Sequence, residues 1–320
     1  MASPDMSVIC EEVSERTLVA SSVGRIARDI LSQETRASTM GVTSQGVFVR
    51  TPGRWIIFVT DKPYRGPLTI NLSEGLIGLR DLEVGSLVSV IRGELIFPGG
   101  ERIIGRDDAV EWYWSIPCAR VSPISEQHRR LTYLSRQALA RGRERGFRDL
   151  LHCLLDPELA SCETDVELEI LSDVMAMRCA LAHGDIEASA SRARSLLGLG
   201  PGLTPSGDDL LTGLILLLNR WEEILRPNLD LEELNHRIVK AAYERTTTLS
   251  ANLIECASRG QSDERLVAVV DSVVAGVPGE SEGVSNLLGW GSSSGVDALV
   301  GVAVGLTALT GGGSAARTTL

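Results

Sequence analysis

The chain changes character near residue 120, and that change limits the folds open to it. Residues 40–120 hold short runs rich in Val, Ile, Thr and aromatic residues, separated by turns that contain Pro, Gly or Asp. Such runs are typical of β-strands. From about residue 124 onward, apolar residues recur at helical spacing instead. This order predicts an α+β protein whose strands and helices lie in separate domains.

We therefore predict that residues 1–122 form a β-rich domain, a small antiparallel barrel or sandwich, with one helix inside residues 14–38. Residues 123–310 are predicted to form an α-helical domain that carries two glycine-rich turn–helix motifs. Residues 311–320, GGGSAARTTL, are predicted to be a flexible tail. In the second half of the chain, helices are expected at residues 207–224, 230–245, 248–259, 263–276 and 295–310.

Composition argues against several classes of protein. The chain has 42 Asp and Glu against 31 Lys and Arg, and only 4% aromatic residues, so we expect no nucleic-acid partner. The longest apolar runs, Leu210–Leu218 and Val296–Thr310, are shorter than the roughly 20 residues of a membrane span. Six cysteines are scattered without a C-x-x-C pair, as in reduced proteins. We expect a cytoplasmic protein without membrane contact.

The strongest local signal is the segment GLGPGLTPSGDD at residues 198–209, which leads directly into an apolar helix. Free backbone N–H groups at a helix N-terminus, with hydroxyls beside them, suit an anion such as phosphate or carboxylate. The P-loop lysine is absent, and no strand precedes the turn as a Rossmann fingerprint requires. The candidate binding residues are Gly200, Gly202, Thr204, Ser206 and Gly207.

Asp208 and Asp209 have two interpretations. Acidic residues in the first turn of a helix interact favourably with its dipole, by about 0.3–1 kcal/mol each, and this explains either Asp taken alone. In the functional interpretation, an Asp binds a substrate amide or hydroxyl, or holds a Mg²⁺ that bridges to phosphate. Two carboxylates repel an anion unless a cation or an N–H donor intervenes. The sequence leaves both interpretations open.

A second copy of the pattern lies near the C-terminus. Residues 206–213 and 294–301 match at five positions with identical spacing, in the order Ser, Gly, Asp, Leu and Gly. We predict two equivalent helix N-termini that point at one cavity, and the second copy adds Ser294, Gly295 and Asp297 to the candidate site. The alternative is a repeated helix-packing motif without a ligand.

A hydroxyl-rich segment, RTTTLSAN, lies between the two copies at residues 245–252. Arg245 is a candidate for binding a carboxylate or phosphate bidentately, with Thr246, Thr247 and Ser250 beside it. The alternative is a helix junction, in which Arg245 ends one helix and Thr247 or Thr248 caps the next. The sequence does not decide between them.

Three segments together resemble one family. GLGPGLTPSGDDLLTGLILLL resembles the hallmark segment of the oxamate carbamoyltransferase subunit AllH family, and RTTTLSANLIECASRG and GWGSSSGVDALVGVAVGL resemble its two later segments. The resemblance implies a subunit of a complex that converts oxalurate and phosphate to oxamate and carbamoyl phosphate in purine (allantoin) catabolism. It also implies partner subunits of acyl-CoA synthetase type, and phosphate, carbamoyl phosphate or an oxamate-like carboxylate as ligands.

Carbamoyl transfer between nitrogen and a phosphate oxygen requires donors preorganised for developing negative charge. The two turns and Arg245 are placed to supply them, while Asp208, Asp209 and Asp297 are expected to orient amide nitrogens or to transfer protons. Two further hypotheses remain: a noncatalytic carboxylate-binding or scaffold subunit of an acyl or carbamoyl transferase, and a metal-dependent hydrolase. No metal-ligand motif stands out among the His and Cys residues, and the sequence establishes no cofactor, with Mg²⁺ left open.

Overall fold

The computed structural model describes residues 16–33, 35–76, 78–115, 120–141, 146–155, 165–225, 229–276 and 280–311. The chain divides into two compact units, residues 1–112 and residues 113–320. The first unit is a β-barrel and the second is helical, so the protein is of the α+β class. The predicted boundary after residue 122 stays a prediction. The predicted tail falls, from residue 312 onward, outside the described residues.

The described part of the first unit forms eight strands that close in the order β1-β5-β4-β3-β2-β6-β7-β8. Alternate residues face inward, so Val47 and Val49, for example, are fully buried while the residues beside them are more exposed. The elements are β1 (Arg16–Gly24), α1 (Arg25–Leu31), β2 (Thr35–Val42), β3 (Val47–Arg50), β4 (Ile56–Thr60), β5 (Thr69–Leu72), β6 (Leu87–Ile91), β7 (Glu94–Ile96) and β8 (Glu101–Trp112).

The prediction of an antiparallel sheet was wrong, because the barrel is mixed. Strand β1 pairs in parallel with β8, and β4 pairs in parallel with β5. Alternation of apolar residues reports which face of a strand is buried but carries no information on the direction of its neighbour. The helix expected within residues 14–38 is confirmed only as the short α1, since β1 and β2 occupy the sequence on either side.

The helical unit is built around α6, which is buried along almost its whole length. A helix that is apolar on all sides must be surrounded by other elements, and α6 packs against α12, α9 and several further helices. The helices are α2 (Ile124–Arg141), α3 (Leu150–Leu155), α4 (Asp165–His183), α5 (Ile186–Leu196), α6 (Ser206–Arg220), α7 (Glu222–Leu225), α8 (Leu231–Arg245), α9 (Thr248–Ala257), α10 (Glu264–Ala275), α11 (Glu280–Leu288) and α12 (Ser294–Gly311).

Short-range capping sets the beginnings of several helices. The side chains of Asp185, Asp230 and Asp263 each accept a hydrogen bond from a backbone N–H in the first turn of α5, α8 and α10. Such caps satisfy N–H groups that have no partner inside the helix. None of the helices in the described ranges is long and apolar enough to cross a membrane.

A buried ion pair ties the C-terminal end of α6 to α10. Arg220 Nε and Nη2 donate to the two carboxylate oxygens of Asp271 at 2.7 and 2.8 Å, and Trp221 Nε1 donates to the same carboxylate at 3.0 Å. Arg220 Nη2 also donates to the carbonyl oxygen of Ser115 at 2.9 Å. Because both charged groups are paired and hydrogen-bonded, their burial is tolerated, and the far end of α6 is held in place.

Candidate functional site

The two copies of the repeated motif pack directly on each other. A Cβ added to Gly213 would lie 1.9 Å from the carbonyl oxygen of Ala298, and one added to Gly301 would lie 1.9 Å from that of Leu210. Leu210 and Ala298 occupy equivalent positions of the two copies, so the contact is reciprocal, as in a two-fold relation. The contact continues toward the C-terminal ends of both helices, where Gly305 of α12 lies beside Leu217 of α6. Helices α6 and α12 therefore run parallel, with their N-termini side by side.

The turns before the two helices also correspond, although they differ in length. In the first, Gly207 N–H donates to the carbonyl oxygen of Leu199 at 2.9 Å, and in the second, Gly295 N–H donates to that of Trp290 at 3.1 Å. Each of these glycines lies so close to the preceding helix that an added Cβ would be 1.9 Å from a carbonyl oxygen. Both turns are thus held against the helix that enters them.

Each motif serine faces the aspartate of the other copy. The hydroxyl of Ser294 approaches Asp209, and the hydroxyl of Ser206 approaches Asp297. Thr204 Oγ1 lies 3.2 Å from Ser294 Oγ and adds a third hydroxyl on the Asp209 side. The sequence match at these positions therefore corresponds to a crossed pair of Ser–Asp contacts at the meeting point of two helix N-termini.

The Asp209 carboxyl group is 1% exposed, and within the described ranges neither of its oxygens accepts a hydrogen bond of normal geometry. Burial raises its pKa well above the usual value, the nearby Asp297 raises that pKa further, and the Ser294 and Thr204 hydroxyls offset part of the increase. A buried polar group without a partner costs free energy, so such a group is a candidate for binding a ligand or sharing a proton.

The Asp297 carboxyl group is held by the chain segment before α3. Phe147 N–H donates to Asp297 Oδ1 at 2.6 Å, whereas Oδ2 has no partner among the residues described. A Cβ on Gly146, which has φ of +72°, would lie 2.4 Å from Oδ1. Burial raises the pKa of Asp297 to about 6, against the lowering effects of Phe147 and Ser206. The Asp297 carboxyl group therefore gains or loses its proton at a pH slightly below neutral.

Asp208 points away from that pair. Its Oδ1 accepts from Gly198 N–H at 2.8 Å, and its Oδ2 accepts from the Thr246 hydroxyl. Burial raises its pKa, and these hydrogen bonds act in the opposite direction. Asp208 therefore ties the first turn to the end of α8, while Asp209, one residue further along the helix, faces α12.

The hydroxyl-rich segment forms the junction between α8 and α9. Thr247 caps α9 by accepting from Ser250 N–H at 3.1 Å, and its hydroxyl donates to the carbonyl oxygen of Leu203 at 2.8 Å. The Ser250 hydroxyl approaches Asp208. Arg245 is exposed at the end of α8, and its side chain has no ion pair with any described residue. The junction interpretation thus accounts for Thr246 and Thr247, while Arg245 stays available to a ligand or a partner.

Some of the expected anion-binding N–H groups are already engaged. Gly207 N–H is bonded within the turn, and Asp208 and Asp209 N–H donate to the carbonyl oxygen of Pro205 at 3.0 and 3.1 Å. In the part of the chain that the structure describes, the N–H groups of Gly200, Gly202 and Ser206 have no such partner. Gly200 and Gly202 lie on the exposed surface of the turn, both with positive φ. The donors left for an anion therefore lie in the exposed turn, at Gly200 and Gly202, and at the first residue of α6, Ser206.

Sequence reasoning did not identify two members of this site, Gly146 and Phe147. No sequence motif points to them, and only the folded chain brings them to Asp297. The carboxyl oxygens at the site are poorly suited to bind Mg²⁺. That ion usually retains several water molecules, and Asp209 and Asp297 are almost completely buried. No cluster of three or more His, Cys, Asp or Glu side chains suited to a metal occurs within the described residues.

The fold and the site together define an α+β protein with an internal turn–helix repeat and a pair of buried carboxyl groups between its two copies. Residues 196–306 match the family model described as oxamate carbamoyltransferase subunit AllH. The match begins in α5 and ends in α12, so it includes both turns and the crossed Ser–Asp contacts. It confirms the predicted resemblance. No solved structure matches the chain.

Proposed function

We propose that this chain is a subunit of an oxamate carbamoyltransferase-like complex that converts oxalurate and phosphate to oxamate and carbamoyl phosphate in purine (allantoin) catabolism. The observation that carries the proposal is that the AllH family match spans residues 196–306, the segment that contains Asp209, Asp297 and both turns. A subunit of this kind has partner subunits, which we expect to be of acyl-CoA synthetase type, and it acts in the cytoplasm.

The substrate is proposed to bind at the first turn, with its planar carbamoyl group toward the aspartate pair. A carbamoyl NH₂ group donates two hydrogen bonds and accepts none in this role, so it complements carboxyl oxygens that accept no hydrogen bond of normal geometry from a described residue, such as those of Asp209. The free N–H groups of Gly200, Gly202 and Ser206 and the exposed Arg245 are left to hold the phosphate or carboxylate end. This arrangement separates the anionic end of the ligand from the two carboxyl groups.

Proton transfer is a second role open to the pair. Asp297 has a pKa of about 6, which suits a group that takes up and releases a proton near neutral pH. Asp209 lies close enough to Asp297 that it is unfavourable for both carboxyl groups to be negatively charged at once. We propose that the two carboxyl groups act as one unit that carries a single proton when substrate binds.

A noncatalytic role is the second candidate, and one observation favours it. Asp209 and Asp297 are 1% and 0% exposed, so a ligand reaches them only if one of the covering segments moves. A scaffold or small-carboxylate-binding subunit of a multi-subunit acyl or carbamoyl transferase needs no such movement. In that role the exposed first turn and Arg245 would bind the carboxylate, and the Asp pair would hold the two helices together.

The proposal is tested by a thermal-shift screen of the full chain against phosphate, carbamoyl phosphate, oxamate, oxalurate and Mg²⁺. A ligand present at 100 times its Kd and specific for the native state adds about 2.7 kcal/mol of stability. We expect carbamoyl phosphate or oxamate to raise the Tm of the wild type and not that of Asp209→Ala. Arg36→Ala, which changes an exposed residue of the other unit, serves as the control and should respond like the wild type.

Turnover with partner subunits separates the two candidates. Loss of oxamate formation in a folded Asp209→Ala or Asp297→Ala variant supports the catalytic role. Wild-type turnover in both variants contradicts it. A ligand-induced shift that survives in both variants but is lost in Arg245→Ala supports the noncatalytic carboxylate-binding role.

A further inference from the structure

The interior of the β-barrel contains a cavity lined by residues of the first unit. It has a volume of about 370 Å³ and opens between α1 and the hairpin formed by β6 and β7. A cavity of this size lies at the small end of the range for ligand pockets. Eight-stranded barrels have room inside for one small ligand when side chains do not fill them completely.

The floor of the cavity is apolar. Ala20, Ile70, Leu95 and Ile103 line it, and each is at most 2% exposed. They belong to the hydrophobic core of the barrel. Ala20 lies where the pairing register of β1 shifts, and its small side chain leaves space that a larger residue would occupy. Such a floor accepts a hydrocarbon group and offers no partner to a polar one.

The rim of the cavity carries positive charge. Arg28 and Arg92 both line it. Arg28 pairs with Glu111 at 3.1 Å and donates to the carbonyl oxygen of Ala109, so part of its charge is compensated. Arg92 is exposed, and it forms no ion pair with any residue of the described ranges. The uncompensated charge at the opening is therefore that of Arg92.

The backbone at Arg92 supplies an independent observation. Ile91 and Glu94 pair across the two-residue turn Arg92-Gly93, whose φ angles are +52° and +82°. Turns with positive φ at both central residues favour Asn-Gly, Asp-Gly or Gly-Gly. An arginine at the first of these positions bears a local conformational cost that Asn or Gly would avoid. The cost is understandable if the guanidinium group is needed at the mouth of the cavity.

We propose that the barrel cavity binds a small organic anion that has an apolar body and a single carboxylate, with the apolar part inside the barrel and the carboxylate at Arg92. Arg28 is the second cation at the rim. A cationic ligand would be repelled there, and inorganic phosphate has no apolar part to fill the floor. The described residues that line the cavity all belong to the first unit.

The test is isothermal titration of the full chain with hexanoate, and with hexanol as the uncharged counterpart. We expect hexanoate to bind the wild type, and hexanol to bind at least about tenfold more weakly, because the charge-assisted hydrogen bonds are lost. Arg92→Asn should weaken hexanoate by about tenfold or more. Asn suits the turn, so the Tm of this variant should equal or exceed that of the wild type.

Two further variants complete the test. Arg36→Ala removes an exposed arginine of β2 that does not line the cavity, and should leave binding unchanged. Ala20→Leu fills the floor and should abolish binding of both compounds. The proposal is overturned if hexanoate does not bind the wild type at millimolar concentration, or if Arg92→Asn and Arg36→Ala have the same affinity as the wild type. Should Ala20→Leu fail to fold, the comparison of Arg92→Asn with Arg36→Ala decides.

Discussion

Gly213 lies against the carbonyl oxygen of Ala298, and a Cβ on Gly213 would be 1.9 Å from that oxygen. The equivalent glycine of the second copy, Gly301, meets Leu210 in the same way. This reciprocal contact brings the N-termini of α6 and α12 together and so places Asp209 beside Asp297. The geometry of the candidate site therefore depends on two positions that bear no side chain.

Gly301→Ala is expected to destabilise the protein by about 3 kcal/mol, because the new methyl group meets backbone atoms that cannot move aside. Gly305→Ala on the same helix is the matched control, since its Cβ would meet only the ends of the Leu214 and Leu217 side chains. Both substitutions gain the same helix propensity, about 1 kcal/mol. Urea unfolding measures the difference, and equal stabilities of the two variants would disprove the close contact.

Removal of the Asp297 carboxyl group should change how stability depends on pH. The pKa of this group is raised by burial from 3.8 to about 6 in the folded state. Between these values the folded state binds more protons than the unfolded state, so the contribution of Asp297 to stability is lost as the pH rises through this window. At pH values above about 6, the folded protein bears the full cost of a buried carboxylate, on the order of 3 kcal/mol.

Asp297→Asn should therefore gain stability relative to the wild type as the pH is raised from about 4 to about 7. The free energies of unfolding of both proteins, measured in urea at each pH, give this difference directly. A constant difference across the range would mean that Asp297 is not desolvated in the folded state.

Asp208→Ala is expected to loosen the first turn. It leaves Gly198 N–H and the Thr246 hydroxyl without their acceptor, a loss of about 1–3 kcal/mol. Limited proteolysis should show faster cleavage within the exposed residues 198–203. Ligand-induced thermal shifts should persist at saturating ligand, in contrast to Asp209→Ala. If both variants lose the shift while remaining folded, Asp208 contacts the ligand as well.

Arg220→Met should be among the most destabilising single substitutions in the helical unit. It leaves Asp271 charged and buried without its partner, which typically costs about 3–5 kcal/mol. The double variant Arg220→Met/Asp271→Leu should recover much of that loss, because neither charge remains. Arg192→Met, which removes a half-exposed partner of Asp173, is the control and should have a far smaller effect. A double variant no more stable than Arg220→Met would contradict this account of the pair.

Much of the helical unit was predictable, because the signals for helices are local. Apolar spacing predicted α8, α9, α10 and α12 to within a few residues. The barrel was less predictable. The turn Arg92-Gly93 between β6 and β7 carries only a weak turn signal in the sequence. The parallel partner of β1 is β8, far away in sequence, and that of β4 is β5, beyond a loop.

Patterns within the amino-acid sequence were enough to establish that a β-rich region precedes a helical one, and that the motif of residues 206–213 recurs at residues 294–301 with the same spacing. The partners of the buried side chains came from the folded chain: Ser206 contacts Asp297, Ser294 contacts Asp209, Asp208 faces the α8–α9 junction, and Arg220 pairs with Asp271. Caps and periodicity act within one or two helical turns, whereas the partner of a buried polar side chain is set by how distant segments pack.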